Sequence, residues 1–127
     1  MPFPEIDTDI LIAVTLKRLR NRKGLDQQAM MKATGLTRST WYKIESGKRP
    51  ITVSELQKVL GVLGISQAQF YQEMEKTKKN LVLKLNQQAK KDGSDVGKFL
   101  AFILATLAGG ALISFLVSLL TKNGEDD

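Results

Sequence analysis

Apolar residues recur at spacings of three and four from about residue 10 to residue 76, and this period predicts helices rather than strands. Ser, Thr or Asp residues stand where such helices would begin, and Gly residues stand where several of them would end. No stretch alternates convincingly between apolar and polar positions. We therefore predict an all-α fold with a compact five-helix domain at 10–76, whose helices cover about 10–23, 27–33, 38–46, 52–63 and 67 onwards.

The segments next to these helices follow other patterns. Residues 1–9 contain two prolines and three acids, which predicts a flexible lead-in. Residues 77–98 are polar and rich in lysine, which predicts a partly helical basic stalk or linker. Asp, Gly and Ser residues at 92–95 interrupt the helical pattern and predict a hinge just before the apolar run.

The run from Phe99 to Leu120 is the most apolar part of the chain, with 22 residues and no charge. At about 1.5 Å per residue, a helix of that length is long enough to cross a hydrocarbon core of about 30 Å. A small domain offers little surface to cover so many apolar side chains, although a helix buried in a soluble oligomer is the alternative. We predict a single transmembrane helix over 99–120, with the lipid bilayer as a partner.

The charges at the two ends of this run predict its orientation. Seven lysines lie between residues 76 and 98, whereas the tail at 121–127 has one lysine and three acids. Basic flanks stay on the cytoplasmic side of a membrane. We therefore expect a single-pass protein of the cell (inner) membrane, with its N-terminal domain in the cytoplasm and the acidic tail outside. The lysines could also rest on anionic lipid headgroups.

Small residues form rows along the apolar run, and such rows let two spanning helices approach closely. They predict a homodimer that is paired through the transmembrane helix or the stalk. Small residues are also frequent in spans that stay single, and in that case the rows carry no such meaning. The residues concerned are Ala101, Ala105, Gly109, Gly110 and Ser114.

Charge and composition narrow the classes of function. The net charge is +6, but 18 of the 19 Lys and Arg residues and only 7 of the 13 acids lie between residues 10 and 98. This excess suits a polyanion, either nucleic acid or an anionic lipid surface. Cys and His are absent, which excludes thiolate and imidazole metal sites, and no Gly-rich phosphate loop is present. We predict no enzyme activity, no metal and no cofactor.

Residues 24–65 carry a resemblance to a known family. The matching features are the opening at 24–27, Gly35 in the turn, and the segments 37–40, 44–49 and 63–65. In this composite the chain resembles the lambda-repressor-like, or XRE, family of helix-turn-helix proteins, over roughly residues 10–75. The resemblance implies double-stranded DNA as a partner and a third helix that lies in the major groove.

A helix in the major groove must offer polar or cationic side chains on one face and hold apolar residues on the other. In the helix at 38–46, Trp41 and Ile44 take the inward positions. The outward, base-facing residues are then Arg38, Ser39, Tyr42 and Lys43. The alternative for this face is an ordinary solvated helix surface.

Other polar residues are placed where family members grip the DNA backbone. Gln27 and Gln28 open the second helix, and Thr37 caps the third. Basic residues load the outer side and the last turn of the first helix, namely Lys17, Arg18, Arg20, Arg22 and Lys23. We expect contacts to phosphates or the DNA backbone from Gln27, Gln28, Thr37, Lys48, Arg49, Arg22 and Lys23.

The sequence departs from the family pattern at three places. Met31 stands where a small Ala is usual, Thr34 replaces a large apolar residue, and Trp41 replaces a β-branched aliphatic residue. A larger Met beside a smaller Thr conserves volume within one core, and such changes are tolerated best.

Three functions are compatible with these patterns. The leading hypothesis is a membrane-anchored, DNA-binding transcriptional regulator that reads the major groove with the helix at 38–46. The second is a membrane adaptor that uses the helix-turn-helix fold to bind a protein partner, for example in cell-shape or division machinery. The third is a small membrane-active or toxin-like peptide with a regulatory head.

Overall fold

A computed structural model describes residues 6–121, and within this range the chain forms seven α-helices and no strand. The all-α class predicted from the sequence is therefore confirmed. The helices are α1 (Thr8–Lys23), α2 (Gln27–Thr34), α3 (Arg38–Glu45), α4 (Val53–Leu63), α5 (Gln67–Lys91), α6 (Val96–Thr106) and α7 (Gly109–Thr121).

The ends of the first helices lie close to where the capping residues predict them. The side chains of Asp26, Thr37 and Ser66 each accept a hydrogen bond from a backbone N–H in the first turn of α2, α3 and α5. Gly24 and Gly64 end α1 and α4 with φ angles of 73° and 72°. Only glycine adopts this left-handed conformation without strain, so the chain turns sharply at both positions.

The first core lies among the N-terminal helices and holds α3 in place. It joins one face of α1 to α2, α3, α4 and the start of α5, and Trp41 and Phe70 are its largest members. Its buried residues are Leu16, Leu19, Met30, Trp41, Ile44, Leu56, Val59, Leu60, Leu63 and Phe70.

The second core lies on the other side of α1. There Leu11, Ala13 and Val14 pack against the C-terminal half of α5 and against α6 and α7. The buried residues from these three helices are Leu81, Leu85, Ala89, Val96, Phe99, Leu100, Ile103, Leu112, Ile113, Leu116, Val117, Leu119 and Leu120. As a result α1 is buried along both faces and has no broad solvent-exposed side before its last turn.

The predicted basic stalk at 77–98 is corrected by the structure. Residues 77–91 continue α5, which runs for 25 residues, and the turn at 92–95 follows. Thr77, Leu81, Leu85 and Ala89 recur every four residues and form a buried stripe along α5. This stripe needs the second face of α1 and the two following helices to cover it, so the segment is part of the fold rather than a linker.

The predicted transmembrane helix at 99–120 is not continuous. Leu107 has an extended backbone and Gly109 has a φ angle of 53°, and these two residues separate α6 from α7. The two helices fold back as a hairpin, in which α6 packs on α5 and α7 packs on α1, α3 and α5. No helix within residues 6–121 combines the length and the apolarity that a bilayer crossing requires.

The predicted placement in the inner membrane and the predicted orientation depend on that span, and the described helices do not support it. Asp7 caps α1 and Thr8 is its first residue, so the last residues of the predicted lead-in belong to the fold. The rest of that lead-in, at 1–5, and the end of the acidic tail, at 122–127, lie outside the described residues.

The small-residue rows that predicted helix pairing are divided by the break. Ala101 and Ala105 lie on the exposed side of α6. Gly109, Gly110 and Ser114 lie in the first half of α7, which packs against α1 and α3. In this arrangement the small residues do not form one continuous row along a single helix. A homodimer stays a prediction.

The departures from the family pattern fit within the first core. Trp41 is fully buried, and Met31 is partly buried against the same core. Thr34 is buried as well, and its hydroxyl donates a hydrogen bond to the carbonyl oxygen of Met30 at 2.7 Å. Because this hydroxyl has a partner, a polar residue at position 34 does not carry the penalty of an unpaired buried group.

The packing of α7 is testable by comparing two truncations in the apolar run. Ile113, which is 1% exposed in the second core, is expected to lose about 2–4 kcal/mol of unfolding free energy when it is changed to Ala. Phe102→Ala is the matched control, because Phe102 is 63% exposed on α6 and its loss leaves no cavity. Urea unfolding of both variants measures the difference; equal stability of the two would contradict the packed hairpin.

Candidate nucleic-acid interface

The outward face of α3 is formed by the four residues that the sequence predicted. Trp41 and Ile44 are buried in the first core at 0% and 2% exposure, and they fix the rotation of the helix about its axis. The opposite face is therefore turned to solvent. It carries Arg38, Ser39, Tyr42 and Lys43, all of which are exposed.

Two of these side chains contact each other. The guanidinium carbon of Arg38 lies 5.8 Å from the centre of the Tyr42 ring, one helical turn further on. This is a cation–π distance, and the interaction limits the directions in which Arg38 points. The guanidinium group keeps its N–H donors on its edge, where a guanine or a phosphate can accept from them.

Glu45 joins three helices behind this face. Its carboxylate accepts hydrogen bonds from Arg20 Nε at 2.7 Å and Arg20 Nη2 at 3.1 Å, and from Gln27 Nε2 at 2.7 Å. The pair is buried, with side-chain exposures of 9% for Arg20 and 4% for Glu45. Arg20 Nη1 also donates to the carbonyl oxygen of Leu25 at 2.8 Å. These bonds hold α1, α2 and α3 in one fixed arrangement.

The helical pattern predicts Arg18 and Arg20 on the outer side of α1, and the structure corrects both. Arg18 is 3% exposed and its Nη1 donates to Thr77 Oγ1 at 2.7 Å. Each arginine has a polar partner that is distant in sequence, on α5 or α3. Helical spacing alone gives no sign of such partners.

The residues predicted to contact the DNA backbone from α2 and α3 lie at the N-terminal ends of these helices. Gln28 is exposed, whereas Gln27 is half-buried and holds Glu45. The hydroxyl of Thr37 accepts from the backbone N–H of Thr40 at 3.2 Å, so it serves as the N-cap of α3. Thr37 is also exposed at the end of the helix that carries Arg38.

The loop after α3 contains one exposed and one engaged basic residue. Lys48 is exposed, but Arg49 is paired with Glu55 through Nη1 at 3.0 Å and Nη2 at 2.6 Å. This contact and the backbone hydrogen bond from Thr52 lower the pKa of Glu55 from 4.5 to about 2. The same pair raises the pKa of Arg49. Arg49 therefore anchors the loop to the start of α4.

Arg22 and Lys23 lie on a different part of the surface. Together with Leu63 and Ile65 they line a cleft between α1, α4 and α5. Arg22 Nη1 is 3.4 Å from a carboxylate oxygen of Glu73 in this cleft. The structure therefore does not bring these two predicted phosphate contacts together with the outward face of α3.

A second cleft lies beside α3, and the sequence pattern does not predict it. Its volume is about 350 Å³. Its lining includes three residues of α7 and Lys17, which is not among the predicted DNA contacts. The lining residues are Lys17, Gln27, Tyr42, Glu45, Ser46, Lys48, Gly110, Ile113 and Ser114. The uncharged composition of the run predicts a membrane span, so the sequence does not place α7 beside α3.

Comparisons with known proteins find relatives for the segment from α1 to the start of α5. Residues 11–70 match the family described as "Helix-turn-helix domain". The chain is 39% identical to the HTH-type transcriptional regulator PuuR of Escherichia coli (strain K12) over 61 residues, which are 48% of this chain and 33% of that protein. The identity and both coverages are the same for PuuR of Shigella flexneri.

A shorter relative is covered almost completely. The chain is 32% identical to the control protein C.MunI of Mycoplasma sp over 71 residues, which are 55% of this chain and 96% of that protein. The chain thus spans only about a third of PuuR but nearly the whole of C.MunI. No solved structure matches this chain significantly.

The role of the Glu45 contacts is tested by removing the carboxylate. Glu45→Ala leaves Arg20 buried without its partner, and we expect a loss of about 3–5 kcal/mol in unfolding free energy. The double variant Arg20→Met with Glu45→Leu removes both charges and should recover at least half of this loss. Urea unfolding compares the two; a double variant no more stable than Glu45→Ala would contradict the explanation.

The Arg49–Glu55 pair predicts a pH dependence. Because the pKa of Glu55 is lowered in the folded chain to about 2, its stabilising contribution is complete above about pH 4.5 and is lost as the pH falls towards 2. Glu55→Gln should therefore reduce the difference in unfolding free energy between pH 6 and pH 2. Glu75→Gln, at an exposed acid of α5, is the control and should keep that difference. An unchanged difference in Glu55→Gln would refute the assignment.

Proposed function

This chain belongs to the helix-turn-helix family, and we propose that it binds double-stranded DNA as a regulator of transcription. One observation carries the proposal: Arg38, Ser39 and Lys43 are exposed together on α3, while Trp41 and Ile44 hold that helix rigidly from behind. The proposal is supported by relatives that are described as a transcriptional regulator and a control protein. An excess of basic residues between positions 10 and 98 favours a polyanion as the partner.

Base readout is assigned to the outward face of α3. Arg38 can donate two parallel hydrogen bonds to the O6 and N7 atoms of a guanine, which is the commonest specific contact in the major groove. Tyr42 stacks against this guanidinium and reduces the conformational freedom that Arg38 loses on binding. Ser39 and Lys43 flank them and reach bases or phosphates.

Backbone contacts are assigned to residues at the edges of this face. We assign most of the contacts to the DNA backbone to Gln28, Thr37 and Lys48. All three are exposed and have no acidic partner among the described contacts. Gln27 and Arg49 act chiefly by holding Glu45 and Glu55. We assign the smallest share to Arg22 and Lys23, which line the cleft beside α4 and α5.

A membrane span is no part of this proposal. The segment that suggested it is divided into α6, which packs on α5, and α7, which packs on α1 and α5.

The Arg38 assignment is testable with duplexes that the full chain selects from a random pool. Arg38→Ala should weaken binding to the preferred duplex by about 5-fold to 150-fold, since a bidentate contact contributes about 1–3 kcal/mol of discrimination. Binding to unrelated duplexes should change much less. Lys76→Ala, at an exposed residue of α5, is the control for the loss of one positive charge. Fluorescence anisotropy at fixed salt gives the affinities.

Two results would contradict the proposal. If the wild-type chain binds no duplex at 50 mM salt, a DNA-binding role fails, and the adaptor that binds a protein partner becomes the better hypothesis. If Arg38→Ala and Lys76→Ala weaken binding equally on all duplexes, α3 does not read sequence.

A further inference from the structure

The cleft between α1, α3 and α7 lies next to the outward face of α3 and shares Tyr42 with it. Its other walls come from α1, from the start of α2, from the loop after α3, and from the first half of α7. Residues 109–121 lie beyond the segment that matches the helix-turn-helix family. The C-terminal hairpin therefore completes a site at the edge of the proposed DNA interface.

The cleft has an excess of positive charge. It is lined by two lysines, Lys17 and Lys48. Among the described residues that line it, Glu45 is the only acid. Both oxygens of that carboxylate are engaged by Arg20 and Gln27, so its charge is already compensated. An anion that enters the cleft meets two ammonium groups without an unpaired carboxylate.

The helix α7 positions both lysines. Lys17 is half-buried, and its Nζ donates a hydrogen bond to Ser114 Oγ at 2.9 Å. An ammonium group has three donors, and this bond uses one of them. Lys48 lies against Gly109, where its Cε is 2.8 Å from the place that a Cβ at position 109 would take. Glycine at this position leaves the space through which the lysine stem runs.

The position of the cleft matches the path of a DNA backbone. When a helix lies in the major groove, the two phosphate backbones form the walls of that groove and pass on either side of the helix. Tyr42 belongs both to the face that we assign to base readout and to the cleft. A duplex on α3 would therefore carry one backbone past Lys17 and Lys48.

We propose that this cleft binds a phosphate group, and that in the DNA complex this group is a backbone phosphate held by Lys17 and Lys48. The assignment of this phosphate to DNA rests on the proposed function, because a free phosphate compound would meet the same donors. In both cases Ser114 of α7 acts as a positioning residue through Lys17. The hairpin then contributes to DNA affinity although it carries no base-reading residue.

The first arm of the test measures the salt dependence of DNA binding by the full chain. The slope of log binding constant against log salt changes by about 0.9 for each phosphate contact in duplex DNA. Because both lysines hold the same phosphate, Lys17→Gln and Lys48→Gln should each lower this slope by part of that amount, and the double variant should lower it by about 0.9 and weaken binding at 0.1 M salt by about fivefold to tenfold on all duplexes alike. Lys76→Gln is the charge-matched control and should keep the slope.

The second arm uses inorganic phosphate without DNA. Titration of the isotope-labelled chain, with chloride at matched ionic strength as the reference, should shift the backbone amide resonance of Gly110 saturably. The same titration of Lys17→Gln should produce a smaller shift. Thermal unfolding verifies that each variant is folded. If Lys17→Gln does not fold, Lys48→Gln replaces it in the phosphate titration, since Lys48 is exposed.

The two arms distinguish the possible outcomes. Lower slopes in both cleft variants, with an unchanged slope in Lys76→Gln, support a DNA phosphate. Unchanged slopes together with a saturable shift of Gly110 support a free phosphate compound as the source. If the wild type binds DNA, but neither the slopes nor the Gly110 resonance respond, the phosphate site is refuted while the proposed function stands. If the wild type binds no DNA, the proposed function fails and the second arm alone decides on the cleft.

Discussion

The burial of α1 on two faces is the constraint on which the rest of the structure depends. One face, with Leu16 and Leu19, closes the first core, and the other, with Leu11 and Val14, closes the second. A helix with apolar residues on two faces is stable in water only when other elements cover both of them. The helix-turn-helix elements can cover just one side. The second half of α5 and the hairpin of α6 and α7 supply the other, so the segments before and after residue 76 form one packed structure.

The same helix connects this packing to the proposed function. From α1, Arg20 reaches Glu45 at the end of α3, and Gln27 of α2 completes the contact. Burying an ion pair is expensive unless its remaining hydrogen-bonding positions are filled, and here they are filled by Gln27 and by the carbonyl of Leu25. The contact thus gives little net stability by itself. Its effect is on geometry, because it fixes the three helices that present the outward face of α3.

The sequence predicted the N-terminal helices well because their signals are local. A capping residue such as Thr37 and a buried pair such as Trp41 and Ile44 decide the start of a helix and its outward face within a few residues. The hairpin could not be predicted in the same way. An uncharged run of 22 residues has the same composition whether lipid or protein covers it. What decides between them is the amount of apolar surface that remains elsewhere, and this depends on contacts distant in sequence. Two features of the sequence fit the hairpin without predicting it. They are the glycines at 109 and 110 and the surplus of apolar residues at 10–14.

The two cores also determine which part of the chain is a functional unit. A fragment that ends before α6 would keep every residue of the helix-turn-helix match, but it would expose Leu11 and Val14 of α1 and the stripe of α5 that contains Leu81. About 25 cal/mol is lost for each Å² of apolar surface returned to water, so several such side chains amount to much of the stability of a small domain. The fragment would also lack Ser114, which holds Lys17 beside α3. Residues beyond the family match therefore act on the outward face of α3 in two ways, through the stability of α1 and through the position of a charge. The full chain, rather than the matched segment, is therefore the unit on which the proposed DNA binding should be measured.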